Sequence, residues 1–209
     1  MLRAAGLVLD GAAPNASPVR RLLCAAALVL GALLVHVTAA EASDRIEVRS
    51  AELRPAADGD GIDLEAVFDF DLPWTLEDAV SRGMPLYFVV DFELYRTRWY
   101  WLDDRRVAAS LTYRLSYSPL TREYRLARGT LAQPFDTLGE ALATLRSVRN
   151  WTVIERGALG AGENYRAQVR MRLDTAQLPR PFQIGAITSR DWTLSSEWRN
   201  VPVRSDLAR

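Results

Sequence analysis

Four stretches of this chain alternate apolar and polar residues with a period of two, which makes half-buried β-strands the dominant local structure. Ile62, Leu64, Ala66, Phe68, Phe70 and Leu72 alternate with Asp63, Glu65, Asp69 and Asp71. Leu86, Phe88, Val90, Phe92 and Leu94 alternate with Asp91 and Glu93. Val107, Ala109, Leu111, Tyr113, Leu115 and Tyr117 alternate with Ser110, Thr112, Arg114 and Ser116. Tyr165, Ala167, Val169, Met171 and Leu173 alternate with Arg166, Gln168, Arg170 and Arg172. One apolar and one charged face per stretch is the pattern of antiparallel sheets that cover a core on one side only. Shorter candidates are Ile46 to Leu53, Glu123 to Ala127, Trp151 to Glu155 and Trp192 to Trp198. About eight strands suffice for two packed sheets. The expected fold is all-β: a single antiparallel β-sandwich with two short helices.

Helix signals interrupt the strands twice. Thr75-Leu-Glu-Asp78 has the form of a capping box, with Asp in place of Glu, and Gly83 and Pro85 end that helix. Thr137-Leu-Gly-Glu140 opens the second, with Leu138, Leu142 and Leu145 on one face. Asp58-Gly-Asp-Gly61 predicts a hairpin turn and Ser118-Pro119 another. Loops are expected over 157–162 and 178–181. No domain linker or low-complexity run divides the chain.

Arg20 and Arg21 precede an apolar run from Leu22 to Val37, 16 residues long. A spanning helix needs about 20, so a secretory signal with a positive flank fits better. Ala40-Glu41-Ala42 has the A-x-A form, and cleavage is expected after Ala42, with Ala40 and Ala39 as alternatives. Residues 1–42 are therefore read as a signal peptide and 43–209 as the sandwich domain. This predicts a periplasmic protein that meets the membrane only through that segment. The alternative is an uncleaved inner-membrane anchor facing the periplasm.

What lies beyond Ala42 excludes much chemistry. The single Cys and single His of the 209-residue chain, Cys24 and His36, both precede it, and every basic residue is Arg. Ser-His-Asp and Cys-His nucleophile systems, Schiff-base and P-loop lysines, and nitrogen- or sulfur-ligated zinc are all removed. Zero net charge gives no field for binding nucleic acid. Asp58, Asp60 and Asp63 lack the later bidentate Glu of an EF-hand and read as a turn. Neither cofactor nor metal is expected. A carboxylate pair acting on cell-wall glycans stays open, because Asp and Glu are plentiful.

The densest segment is Arg96-Thr-Arg-Trp-Tyr-Trp-Leu-Asp-Asp-Arg-Arg106, where the alternation fails. Continued past Leu94, the apolar face would carry Arg96 and Arg98, and the acidic face Trp99 and Trp101. Either a bulge resets the register near Arg96, or the aromatic pair lies exposed on the sheet. The first makes a bulged strand with Trp in the core. The second makes a recognition patch of Arg96, Arg98, Trp99 and Trp101, with Asp103 nearby, suited to an anionic or sugar-like ligand or a protein partner. A second candidate is the set Arg114, Arg125, Arg166, Arg170 and Arg172 on the polar strand faces. It is either an anion-binding cluster or a solvated face paired with Glu65, Asp69, Asp91 and Glu93.

Several motifs occur together in order: Arg98-Trp-Tyr-Trp-Leu-Asp-Asp104, Tyr113-Arg-Leu-Ser-Tyr117, Leu120-Thr-Arg-Glu-Tyr-Arg125, Phe135-Asp-Thr-Leu-Gly-Glu-Ala-Leu142, Tyr165 to Asp174, Leu178-Pro-Arg-Pro-Phe182 and Trp192-Thr-Leu-Ser-Ser196. In these the chain resembles the proteobacterial domain of unknown function 4390 family over nearly all of its length after Ala42. The resemblance implies an exported envelope protein and transfers no catalytic role to any residue. It also implies a neighbourhood with two-component sensor kinases. The function expected is a non-enzymatic periplasmic binding or adaptor module whose partner is a membrane sensor kinase or another envelope protein. The alternatives are a carboxylate-dependent cell-wall glycan hydrolase and, third, a carrier of an acyl or lipid ligand.

Overall fold

The alternating stretches pair as antiparallel strands in two layers. The structure is a computed structural model that describes residues 45–97, 104–160, 162–178 and 192–208, all within the unit Ala42–Arg209. The expected signal segment lies outside the described residues. Among the described residues the strands are β1 (Glu47–Pro55), β2 (Gly61–Asp69), β3 (Leu86–Arg96), β4 (Asp104–Ser118), β5 (Glu123–Arg128), β6 (Leu131–Phe135), β7 (Ser147–Glu155), β8 (Tyr165–Leu173) and β9 (Arg199–Val201). Helix α1 (Trp74–Ser81) joins β2 to β3, and α2 (Leu138–Leu145) joins β6 to β7. One sheet has the order β1-β2-β7, the other β6-β5-β4-β3-β8-β9. This is the all-β sandwich that the alternation predicts.

The apolar faces meet between the sheets. Leu64, Ala66 and Phe68 of β2 face Leu86, Phe88, Val90, Phe92 and Leu94 of β3, and all are buried. Tyr113 and Leu115 of β4 and Val169 and Met171 of β8 complete the layer. The sheets are unequal in width. They are tied along one edge, where the Ile46 amide donates to the Ser195 carbonyl at 3.2 Å. At the other edge β5 and β6 extend past β7, and α2 covers part of that overhang with Ala141, Leu142 and Leu145.

The turns follow their residues. In the β1–β2 turn Asp58 Oδ1 accepts from the Asp60 amide at 3.0 Å, and Gly59 has φ 73°. Gly61 is required by a close approach, since a Cβ there would lie 2.5 Å from the Ile154 carbonyl oxygen.

Three expectations are corrected. Helix α1 starts two residues earlier than its capping-box reading. Pro73 is the N-cap and makes no side-chain cap bond; its carbonyl accepts from the Leu76 and Glu77 amides at 2.8 and 3.0 Å. Trp192 to Trp198 is not a strand. Its amide and carbonyl groups meet β8 at Leu194 and Ser196, but Ser196 Oγ takes the Met171 amide at 3.0 Å in place of a carbonyl, which breaks the ladder to one bridge, Arg172 to Ser195. Strand β6 was not foreseen because LAQPF neither alternates nor buries a face, and Pro134 reads as a strand breaker. Proline is tolerated there because β6 is an edge strand.

The cap of α2 does form as read: Thr137 Oγ1 accepts from the Glu140 amide at 3.3 Å. Thr137→Ala should cost about 0.5–2 kcal/mol, read as a lower urea midpoint at unchanged slope. No loss would show that α2 is held by packing alone.

Candidate functional site

Of the residues singled out for recognition, Arg96 is described; Arg98, Trp99, Trp101 and Asp103 lie outside the described residues. A bulge does interrupt the register near Arg96, and it lies on β4. Leu94 pairs with Val107 and Tyr95 with Arg105, so the extra residue is Arg106 of β4, while β3 pairs with β8 without interruption to Arg96 and Tyr165. Arg96 consequently keeps the inward parity of Phe92 and Leu94 at the end of the core.

There it works as a clamp. Its Nη1 donates to Glu163 Oε1 at 2.7 Å and its Nη2 to Asp104 Oδ2 at 3.4 Å. Tyr165 Oη donates to the other Glu163 oxygen at 2.6 Å and accepts from the Gly160 amide at 2.9 Å. The Thr97 amide and hydroxyl both reach the Asn164 carbonyl, at 2.9 and 3.0 Å. The Tyr165 hydroxyl and Arg96 hold the Glu163 carboxyl below its ordinary range. The loop before β8 is thus fastened to the paired ends of β3 and β4. Arg96 Nε is buried and has no partner among the described residues.

The other candidate set assembles on the outer face of the six-stranded sheet. Registry places Arg170 beside Asp91, Gln168 beside Glu93 and Arg166 beside Tyr95, all facing out. Asp91 is the hub. Its carboxylate accepts from Ser110 Oγ at 2.8 Å and from Arg170 Nε and Arg172 Nε, each at 3.0 Å. Arg172 also lies 3.5 Å from Asp174. The Arg170 guanidinium stands 4.4 Å over the Trp198 ring, and that of Arg166 5.4 Å over Tyr95. Glu93 accepts from Tyr95 Oη at 2.7 Å, Gln168 Nε2 at 2.8 Å and Arg105 at 3.3 Å. Arg114 continues the face opposite Tyr87.

Of the four acids expected to pair with this arginine set, Asp91 does so. Glu65 and Asp69 belong to the other sheet and pair there with Arg54 and Arg49. Arg125 pairs with its neighbour Glu123 at 3.8 Å. Asp91 takes up Arg170 and Arg172 of the set as anticipated.

Residues 43–202 match the family Domain of unknown function (DUF4390). The chain belongs to this family. No curated protein and no solved structure matches it.

The electrostatics of this DUF4390 face restrict its chemistry. Partial burial would raise the Asp91 pKa, but the hydrogen bonds from Ser110, Arg172 and Arg170 and the Arg172 charge overcome it and hold the carboxyl below its ordinary value. Glu93 is also lowered, first by the Tyr95 hydroxyl, and Tyr95 is raised in return. Both carboxylates are thus held ionised and surrounded by donors. A glycosidase acid requires the opposite, a carboxyl kept protonated near neutral pH. Among the described residues no group of three or more His, Cys, Asp or Glu could hold a metal ion. No helix of the described residues is long and apolar enough to cross a membrane. What the DUF4390 face offers is guanidinium and aromatic surface held in fixed positions.

Sequence reading missed Ser110, Tyr95, Arg105 and Trp198 as parts of one array. The available signal was two acids spaced i, i+2 on β3 and three arginines of one parity, Arg166, Arg170 and Arg172, on β8. Joining them required the strand order.

Proposed function

We propose that this DUF4390 domain is a non-enzymatic recognition module of the bacterial envelope that docks an acidic surface of a membrane partner, such as the periplasmic part of a sensor kinase. The observation that carries the reading is the outer sheet face, where Arg105, Arg114, Arg166, Arg170 and Arg172 outnumber Asp91, Glu93 and Asp174. Arg166 and Arg170 are stacked on Tyr95 and Trp198, so their planar forks are held in place before a partner arrives. Arginine and aromatic side chains are the types that dominate binding energy at protein interfaces. The hydrolase alternative finds its described carboxylates on this face held ionised, as general acids are not.

The test is capture from envelope membranes by the purified domain and by a double variant, Arg114→Glu with Arg166→Glu, both on exposed positions. One partner should be recovered, less at higher salt, and at least tenfold less by the variant at an unchanged melting temperature. Capture indifferent to salt and to both charges, or glycan turnover that disappears in Glu93→Gln, would overturn the proposal.

A further inference from the structure

The unequal width of the two sheets leaves a second surface. Strands β5 and β6 turn one face inward; Leu126 of β5 is buried there, but Leu131 of β6 is not. Helix α2 fills the overhang near Phe135 and Tyr124 and ends at Leu145. Past its C-terminal end lies a groove of about 530 Å³. Leu131 is its exposed apolar side chain, the nearly buried Leu126 and Tyr113 lie beneath, and Thr144, Arg149 and Arg128 stand around it. Leu131 shares the inward parity of Leu126, being opposite Arg128 in register, but is 77% exposed. Among the described residues no layer covers this leucine, although it has core parity.

The groove is also lined by charge. On β7, Leu64 pairs with Trp151 and Ala66 with Val148, so Arg149 and Asn150 bulge out opposite Glu65. Asn150 takes φ 50°, in the left-handed region that few residues other than glycine and asparagine adopt readily. The bulge aims two carbonyls at the overhang, and Arg128 crosses to them, donating to Arg149 O at 3.2 Å and Asn150 O at 3.3 Å. Arg128 and Arg149 thus both line the trough, Arg149 Nε donating to Ser147 Oγ at 3.1 Å. Among the described residues no carboxylate lines it. A strand from another chain is a poorer fit, because Pro134 removes an amide donor from the β6 edge.

We infer that this groove binds a single acyl chain carrying an anionic head group, the chain lying over Leu126, Leu131 and Tyr113 and the head meeting Arg149 and Arg128. The volume is within the range of small-molecule sites. Guanidiniums bordering apolar surface are matched by a carboxylate or a phosphate, both of which accept bidentate pairs. The site is on the inner face of the sheet and is independent of the recognition surface on the outer face.

Calorimetric titration with laurate, dodecyl phosphate and dodecyl maltoside, each below its micelle concentration, tests this. At least one anionic ligand should bind saturably at one per chain and at least tenfold tighter than the neutral maltoside. Tighter laurate assigns a carboxylate head, tighter dodecyl phosphate a phosphate. Leu131→Asp and Arg149→Glu, both on exposed positions, should each weaken binding at least tenfold. Leu120→Asp, on a leucine 94% exposed in the β4–β5 turn, should leave it unchanged. No saturable binding by either anion, equal binding of the maltoside, or the same affinity in the Leu131 and Arg149 variants would overturn the inference. So would an equal loss in Leu120→Asp.

Discussion

Phe88→Ala should lower the stability of the domain by about 3–5 kcal/mol, the range for buried aromatic truncations. Phe88, the third residue of β3, is fully buried. It lies between Tyr113 of β4 and Leu173 of β8 in register, and its ring is 5.6 Å from that of Phe70. That one side chain touches both flanking strands and the segment leading from the opposite sheet. Its loss leaves a cavity that no neighbour can fill without moving a strand, since β3 is paired on both sides. For a domain of this size the loss corresponds to a melting shift of roughly 6–20 °C. Total stabilities of about 5–15 kcal/mol are usual, so Phe88→Leu is the companion variant. It keeps much of the volume and should fall well short of the alanine loss. Urea unfolding at unchanged slope gives both values. An alanine loss under about 1 kcal/mol would mean that the sheets do not pack through Phe88.

The position of Phe88 could be read directly from the sequence, and so could most of the core. Period-two alternation assigns a face to each residue without any knowledge of strand order. Tyr113 and Leu115 were placed inside on that ground, and both are buried. Where alternation stops, the reading fails for physical reasons. Strand β6 buries almost nothing, so selection for a core left no pattern in it. Ser196 replaces a backbone partner by its hydroxyl, and a side chain that stands in for a ladder bond leaves no periodic trace. The break near Arg96 was visible, but its cause lies on the partner strand: Arg106 is the inserted residue, and a bulge on β4 can be located only once its register against β3 is known.

The candidate sites were legible to the same degree. The arginines at Arg166, Arg170 and Arg172 could be put on one face of β8, and Asp91 and Glu93 on one face of β3. That the two faces coincide depends on β8 pairing with β3 across a separation of more than seventy residues. Tyr95 and Trp198 join only after that pairing. The inner groove left no sequence signal, because it arises from the difference in sheet width, a property of two layers and not of any segment.

Asp91→Asn should lower stability by about 1–3 kcal/mol at pH 7. The carboxylate is 13% exposed and accepts from two guanidiniums, each about a third exposed. Charge-assisted hydrogen bonds are worth about 1.5–3 kcal/mol; the guanidiniums can turn toward water, so the sum is discounted. The pH dependence identifies the cause. Asp91 has a lower pKa folded than unfolded, so its contribution is complete above the unfolded value of about 3.9 and is lost as pH falls through the folded value below it. The gap between wild type and Asp91→Asn should be constant from pH 7 to about 5 and then shrink on further acidification. The variant should keep an acid branch of its own, because Glu93, Glu163 and Asp69 are lowered as well. A gap that stays constant down to pH 2.5 would show that Asp91 acts by shape and not by charge. Binding should move the opposite way. Neutralising Asp91 leaves Arg170 and Arg172 facing outward with one fewer acceptor, so an acidic partner should bind the less stable variant more tightly, and the gain should fade in salt. If Asp91→Asn weakens binding and stability together, the arginines recognise a partner only in the geometry that Asp91 imposes, and the face reads shape before charge.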